Sequence, residues 1–154
     1  MQIRRMRKED VKTVSELEKV CFSVPWSEKE LSECLGKEIY RFFVAEEEEK
    51  VLGYIGMYLC IDEADITNVA VFPEARGRGI GEALLAALMS GAREDGAAVF
   101  YLEVRDSNVP ARRLYEKQGF RIIGKRKDYY TEPTEDAVLY GYSEREEEQE
   151  NSCS

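Results

Sequence analysis

One run of residues constrains this chain more than any other. Val69-Ala70-Val71-Phe72-Pro73-Glu74-Ala75-Arg76-Gly77-Arg78-Gly79-Ile80-Gly81 passes from a β-branched strand through a basic glycine loop into a helix. Glycines at 77, 79 and 81 remove side chains where a ligand must approach backbone N–H groups, and the helix start adds the positive end of a dipole. The result is an anion cradle, to which Arg76 and Arg78 add charge. Ile80, Leu84, Leu85, Leu88 and Met89 mark an amphipathic helix to Arg93, and Ala97 to Val104 is an apolar strand, so the segment reads as a βαβ unit. It is not a P-loop, because Gly81 is followed by Glu82-Ala83 where that motif needs Lys and then Ser or Thr. A dinucleotide fingerprint gains some support from Glu103, about twenty residues on. Against it stand the GxGxG spacing and the length of the loop from Pro73 to Arg78.

The flanking sequence completes a mixed architecture. Ile3 to Met6 reads as a short strand, and Glu9 to Phe22 as a helix with Val11, Val14, Leu17 and Cys21 on its apolar face. Ser23 to Trp26 is a loop. Ser27 then opens a second helix, in which the Ser27-x-x-Glu30 spacing forms a capping box and Leu31, Cys34 and Leu35 turn inward. Ile39 to Ala45 and Val51 to Cys60 form an antiparallel hairpin around a Glu-rich tip expected to lie in water. Asp65 to Phe72 is the third strand of that meander. Pro110 to Gln118 reads as a helix stopped by Gly119, and Phe120 to Gly124 and Ala137 to Tyr142 as the last strands.

Composition bounds the function. The 154 residues suit one domain with a real core. The net charge of −9 is concentrated at Glu46 to Lys50 (−3) and Ser143 to Ser154 (−4), so the body is nearly balanced. An acidic chain is a poor polyanion binder, which argues against nucleic acid or an anionic membrane as partner. There is no histidine, which removes Ser-His-Asp and Cys-His nucleophile systems and every His-containing metal site. Four cysteines, Cys21, Cys34, Cys60 and Cys153, show no CxxC pair, and the first three sit in apolar stretches expected to be buried. No metal is expected, and a reducing, cytoplasmic setting fits. The longest uncharged run, Val51 to Ile61, is too short to span a bilayer, and the charged N-terminus is no signal peptide. Residues 1–142 are expected to form the folded domain and 143–154 an acidic, disordered tail.

A second cluster combines Leu102-Glu103-Val104-Arg105-Asp106-Ser107-Asn108 with Ala111 to Phe120. Here the sequence resembles the GNAT acyl-CoA N-acyltransferases. The Arg76 to Gly81 loop matches their Q/R-x-x-G-x-G/A signature, and Asn108, Leu114-Tyr115 and Gly119-Phe120 match the segment that follows. Within that superfamily it looks most like the bacterial ribosomal-protein alanine N-acetyltransferases. The likeness lies in Cys21 to Ser27, Asn68-Val69-Ala70-Val71, Leu102 to Arg105 and Arg126 to Tyr130. The resemblance implies a single α/β domain with a central, mostly antiparallel, splayed sheet flanked by helices. Its opening beside the Val69 to Val71 strand would receive the pantetheine arm. It implies acetyl-CoA contacts at Val69, Ala70, Val71, Arg76, Gly77, Arg78, Gly79, Ile80, Gly81 and Asn108. It also implies Glu103 as proton acceptor and Tyr115 as proton donor, with the N-terminal alanine of the eighteenth small-subunit ribosomal protein as acceptor.

Elementary chemistry fits those roles. An amine attacks a thioester only when neutral, and a chain α-amine has a pKa of about 7.7–8.0, so a nearby carboxylate can take its proton. The departing thiolate needs a proton, which a phenol can give, and the thioester oxygen needs donors, which strand N–H groups can supply. Glu103 could instead be a strand residue paired with Arg105 or Lys117, and Tyr115 a core aromatic. Trp26, Tyr129 and Tyr130 could line a peptide groove or pack in the core. No covalent enzyme intermediate is needed, and direct transfer is expected. Acetylation of a small amine or a lysine, and a non-catalytic CoA sensor, are the competing functions.

Overall fold

The computed structural model describes residues 1–144, so most of the acidic tail, Cys153 included, lies outside the described residues. Seven strands form one sheet: β1 (Gln2–Arg5), β2 (Tyr40–Glu47), β3 (Lys50–Cys60), β4 (Glu63–Val71), β5 (Val99–Arg105), β6 (Arg121–Tyr130) and β7 (Glu135–Ser143). Their order is β1-β2-β3-β4-β5-β7-β6. Every neighbouring pair is antiparallel except β4 and β5, joined by the crossover through α3 (Ile80–Glu94). The expected βαβ unit is therefore present, and it supplies the sheet's one parallel seam.

That seam is short. β4 and β5 pair only through Glu63↔Val99, Ala64↔Phe100 and Asp65↔Tyr101, then part. A register shift between Gly56 and Met57, opposite Ile66 and Asn68, bends β4 where the pairing ends. Beyond Asp65 one edge of β4 faces a gap.

Helices cover both faces. α1 (Val11–Cys21) and α2 (Glu28–Leu35) lie on one. There Val14, Leu17 and Leu31 pack against Phe42, Val44, Tyr54 and Ala70. α3 covers the other, where Leu84, Leu85 and Leu88 meet Ile55, Met57, Phe100 and Tyr140. α4 (Val109–Lys117) follows β5 and tethers to α3 through Lys117–Glu82 at 3.2 Å. Alternation along β5 divides its side chains: Phe100, Leu102 and Val104 are buried in the α3 core, while Tyr101, Glu103 and Arg105 point to the α1/α2 face.

Several expectations need correction. The first helix begins as a 3-10 turn over Lys8–Asp10 before α1. The glutamates at the hairpin tip are not simply solvated. Glu46 joins Asp10 on the guanidinium of Arg4, at 2.6 and 2.8 Å, and Glu47 holds Arg78 at 2.6 Å. β6 does not stop near Gly124 but continues to Tyr130, with irregularities at Ile122/Gly124 and Arg126/Tyr130. Cys60 is exposed and Cys21 and Cys34 half-buried, because Cys60 closes β3 at its solvent end. Half of the expected Ser27 capping box forms: the Glu30 N–H donates to Ser27 Oγ at 3.1 Å, but the Glu30 carboxylate accepts from the Ser27 hydroxyl at 3.1 Å and not from the Ser27 backbone N–H.

Candidate active site

The gap between β4 and β5 gathers the residues singled out by sequence. Phe72 donates its N–H to Leu52 C=O at 2.9 Å, so by strand alternation Ala70 also points its N–H at β3. Val69 and Val71 then turn theirs toward the gap. Two backbone donors thus project where β5 has moved away.

Below them, the loop after β4 ends in α3. Gly79 is the N-cap residue of α3, with φ 76° and no side-chain cap, and Gly77 has φ 81°. Both conformations are left-handed, which explains glycine at each. A Cβ added at either would meet nothing within 4 Å, so the space above this backbone is open to a ligand. The first helical bond of α3 runs from Ala83 N–H to Gly79 C=O, and the amides of Ile80, Gly81 and Glu82 precede it without a helical acceptor. Open space, free amides and the helix dipole fit a pyrophosphate.

The two arginines of the loop are already engaged. Arg76 Nε donates to Val71 C=O at 3.1 Å, and its Nη2 lies 3.4 Å from Cys21 Sγ. Arg78 is tied to Glu47. Asn108 is the N-cap of α4, its Oδ1 accepting from Ala111 N–H at 3.3 Å.

Glu103 and Tyr115 lie on opposite faces of the sheet, Glu103 on the α1/α2 side of β5 and Tyr115 in the core on the α3 side. Glu103, its side chain 29% exposed, pairs neither with Arg105 nor with Lys117. Its Oε1 is 3.7 Å from Arg126 Nη2. The Tyr129 hydroxyl donates to the same carboxylate, and that contact raises the Tyr129 pKa. Asp65 lies on the same face, its pKa raised first by burial, against a hydrogen bond from Tyr58, and then by the charge of Glu103. On the α3 side, the Tyr115 ring packs against Phe120 and Tyr140, with centroids 6.0 and 6.1 Å away. Its hydroxyl has no hydrogen-bond partner among the described residues, and burial holds its pKa far above the ordinary value of 10.0. The ring is a core aromatic and the hydroxyl is a protonated, uncommitted donor.

The α1/α2 face of the site is aromatic. Trp26 meets Tyr40 and Phe42 edge-on at 6.3 Å, and Tyr40 continues to Tyr58 at 5.9 Å. Tyr129 packs edge-on against Tyr130 at 5.0 Å.

Sequence reasoning passed over Glu18. This carboxyl is wholly buried, accepting from Asn68 Nδ2 at 2.8 Å and from Trp26 N–H at 3.4 Å, while its Oε2 has no hydrogen-bond partner among the described residues. Burial pushes its pKa up to about 7, against the opposing hydrogen bonds from Tyr54, Trp26 and Asn68. A signal was present: with Val14 and Cys21 it falls on the helix's apolar stripe, where a charged residue is out of place.

This splayed sheet, with a glycine-capped helix at its opening, is that of an acyl-CoA N-acetyltransferase. The sequence matches the Acetyltransferase (GNAT) family over residues 11–120, and the chain belongs to that family, whose members use acetyl-CoA. The [Ribosomal protein bS18]-alanine N-acetyltransferase of Haemophilus influenzae is 37% identical over 133 residues, 84% of this chain and 90% of its own. A Bacillus subtilis protein whose name assigns the same activity provisionally is 39% identical over 138 residues, 89% of this chain and 91% of its own. The crystal structure of the ribosomal-protein-S18-alanine N-acetyltransferase from Escherichia coli superposes with a TM-score of 0.85 at 32% identity, covering 92% of each chain. Among the described residues no group of His, Cys, Asp and Glu could hold a metal, and no helix is long and apolar enough to cross a membrane.

Proposed function

We propose that this enzyme acetylates the N-terminal alanine of ribosomal protein bS18, by direct transfer with Glu103 accepting the amine's proton and Tyr115 protonating the leaving sulfur. The observation that carries the chemistry is the gap itself, which two backbone donors enter from β4. Glu103 offers a carboxylate on the α1/α2 face of β5, and Tyr115, on the α3 side, offers a phenol with no hydrogen-bond partner among the described residues. The acceptor is carried by the relatives' names over nearly the full length of each chain.

Bound acetyl-CoA supplies the activated acetyl group as a thioester. The amides opening α3 and the unobstructed Gly77 and Gly79 would hold its pyrophosphate, with Val69 to Val71 alongside the pantetheine. Asn108 would contribute its Nδ2, its Oδ1 being taken by the helix cap. Arg76 and Arg78 would reach the phosphates only by exchanging their present partners. The N–H groups of Val69 and Val71 would donate to the negative charge that develops on the thioester oxygen. Glu103 needs its carboxylate ionised, and Tyr115 needs its phenol protonated.

The test is a peptide carrying the first residues of bS18 together with an internal lysine, incubated with acetyl-CoA and sequenced by mass spectrometry. The acetyl group is expected on the α-amine alone. Modification of the lysine, or of small amines only, would overturn the acceptor assignment. Glu103→Gln is expected to lower turnover about 100-fold at pH 7, with partial recovery at pH 9 as the free amine loses its proton unaided. A flat pH response would remove Glu103 from the proton path.

A further inference from the structure

Arg105 stands two residues beyond Glu103 on the same strand and the same face, about 7 Å further along it. Its guanidinium is the most heavily used cation near the gap. Nη2 donates to Ser23 Oγ at 3.1 Å and to Thr131 C=O at 2.8 Å. Nη1 donates to Pro133 C=O at 2.9 Å and to Glu135 Oε1 at 3.3 Å. Its Cζ lies 4.6 Å from the centre of the Tyr130 ring. Ser23 belongs to the loop between α1 and α2, while residues 131–134 form the turn between β6 and β7. These segments are about a hundred residues apart in sequence, and they also touch directly, Ser23 Oγ donating to Thr131 C=O at 3.3 Å. Glu135 is fixed in turn by the Ser107 N–H at 2.6 Å, just after β5.

We propose that Arg105 is a positioning residue for the acceptor: its planar fork joins the α1–α2 loop and the β6–β7 turn into one rim, held at a fixed distance from the Glu103 carboxylate. This inference rests on the acetyl-transfer reading above. A surface ion pair needs only one charged tip, and Glu135 alone would satisfy it. Arg105 instead spends donors on two backbone carbonyls and a hydroxyl from separate segments, an arrangement that only a guanidinium can span. Trp26, in the same loop, is held from the other side by its N–H to Glu18. The loop is thus pinned at both ends, and Tyr130 is clamped beside Tyr129, whose hydroxyl meets Glu103. A peptide entering under this rim meets a groove whose two walls cannot move apart. Without the fork the single Ser23–Thr131 hydrogen bond is left to join the two walls, and the acceptor loses affinity while the cofactor side keeps its geometry.

The experiment compares the wild-type enzyme with Arg105→Gln, Arg105→Lys and Ser23→Ala, using the bS18 N-terminal peptide as acceptor and amide hydrogen exchange as a second readout. For Arg105→Gln the acceptor KM is expected to rise about tenfold or more, with the KM for acetyl-CoA within about twofold of wild type. Amides of residues 22–27 and 131–134 should exchange at least about tenfold faster, and those of β5 unchanged. Arg105→Lys keeps the charge opposite Glu135 but not the fork, so its acceptor KM should stay raised about fivefold or more. Ser23→Ala removes two contacts, the one from Arg105 and the one to Thr131 C=O, and should raise it about two- to threefold. An unchanged acceptor KM in Arg105→Gln, full recovery by lysine, or equal losses for both substrates would overturn the proposal. Should Arg105→Gln fail to fold, Ser23→Ala decides, an unchanged acceptor KM counting against it. If the wild type acetylates no peptide, the functional reading fails, while the exchange rates still decide whether Arg105 ties the two segments.

Discussion

Replacing Glu18 by glutamine is expected to stabilise the protein above pH 7 and to do progressively less as the pH falls toward 5. Glu18 is fully buried, and its pKa stands at about 7 against an ordinary 4.5. The folded chain therefore keeps a proton that the unfolded chain releases, and stability falls as the pH rises from about 4.5 to 7 and then levels off. At about 1.36 kcal/mol per pH unit, that interval amounts to about 3 kcal/mol. Glutamine keeps the acceptor used by Asn68 and Trp26 and cannot ionise, so it escapes the penalty. Urea unfolding of both proteins at pH 5, 6, 7 and 8 measures the difference, which should grow by about 2–3 kcal/mol across the series. The chain has no histidine to titrate in this window. Asp65, also raised, contributes in the same direction, but it is common to both proteins and cancels. Asp10 and Glu135 are lowered, so their contributions are lost only at more acid pH. A stability difference that stays constant from pH 5 to 8, or a glutamine variant less stable than wild type at pH 8, would refute the assignment.

The remaining predictions concern turnover and the cofactor. Tyr115→Phe keeps the ring packed on Phe120 and Tyr140 and removes only the hydroxyl, so turnover should fall about 100-fold with acetyl-CoA affinity within about twofold, read by steady-state kinetics and calorimetry. Gly79→Val forces a β-branched residue toward φ 76°, at a strain of about 1–3 kcal/mol, so acetyl-CoA binding should weaken about tenfold or more. The converse pattern, with Tyr115→Phe losing the cofactor and Gly79→Val losing only turnover, would reverse the two roles.

The strand, loop and helix from Val69 to Gly81 were legible because backbone geometry dictates their residues: left-handed φ at 77 and 79 admits little but glycine, and α3 shows its buried stripe openly. β6 was readable only to Gly124. As an edge strand exposed on both faces, its second half has no apolar alternation to read. Glu46 and Glu47 looked like a solvating run, because the arginines that hold them, Arg4 and Arg78, come from distant segments. Glu103 and Tyr115 stood out by motif, but not that Glu103 is met by Tyr129 and Arg126 rather than by its strand neighbour. Arg105 reads from sequence only as a possible partner of Glu103, for a related reason. Three of its partners are two backbone carbonyls and a hydroxyl in loops, and no side-chain pattern announces them.

The most direct test of the central claim is a calorimetric titration of the wild-type enzyme with acetyl-CoA, repeated with Gly79→Val. The bare main chain opening α3 should bind one equivalent with a Kd of about 1–100 μM, weakened about tenfold or more by the valine. No heat of binding up to about 1 mM, or equal affinity in the two proteins, would contradict it.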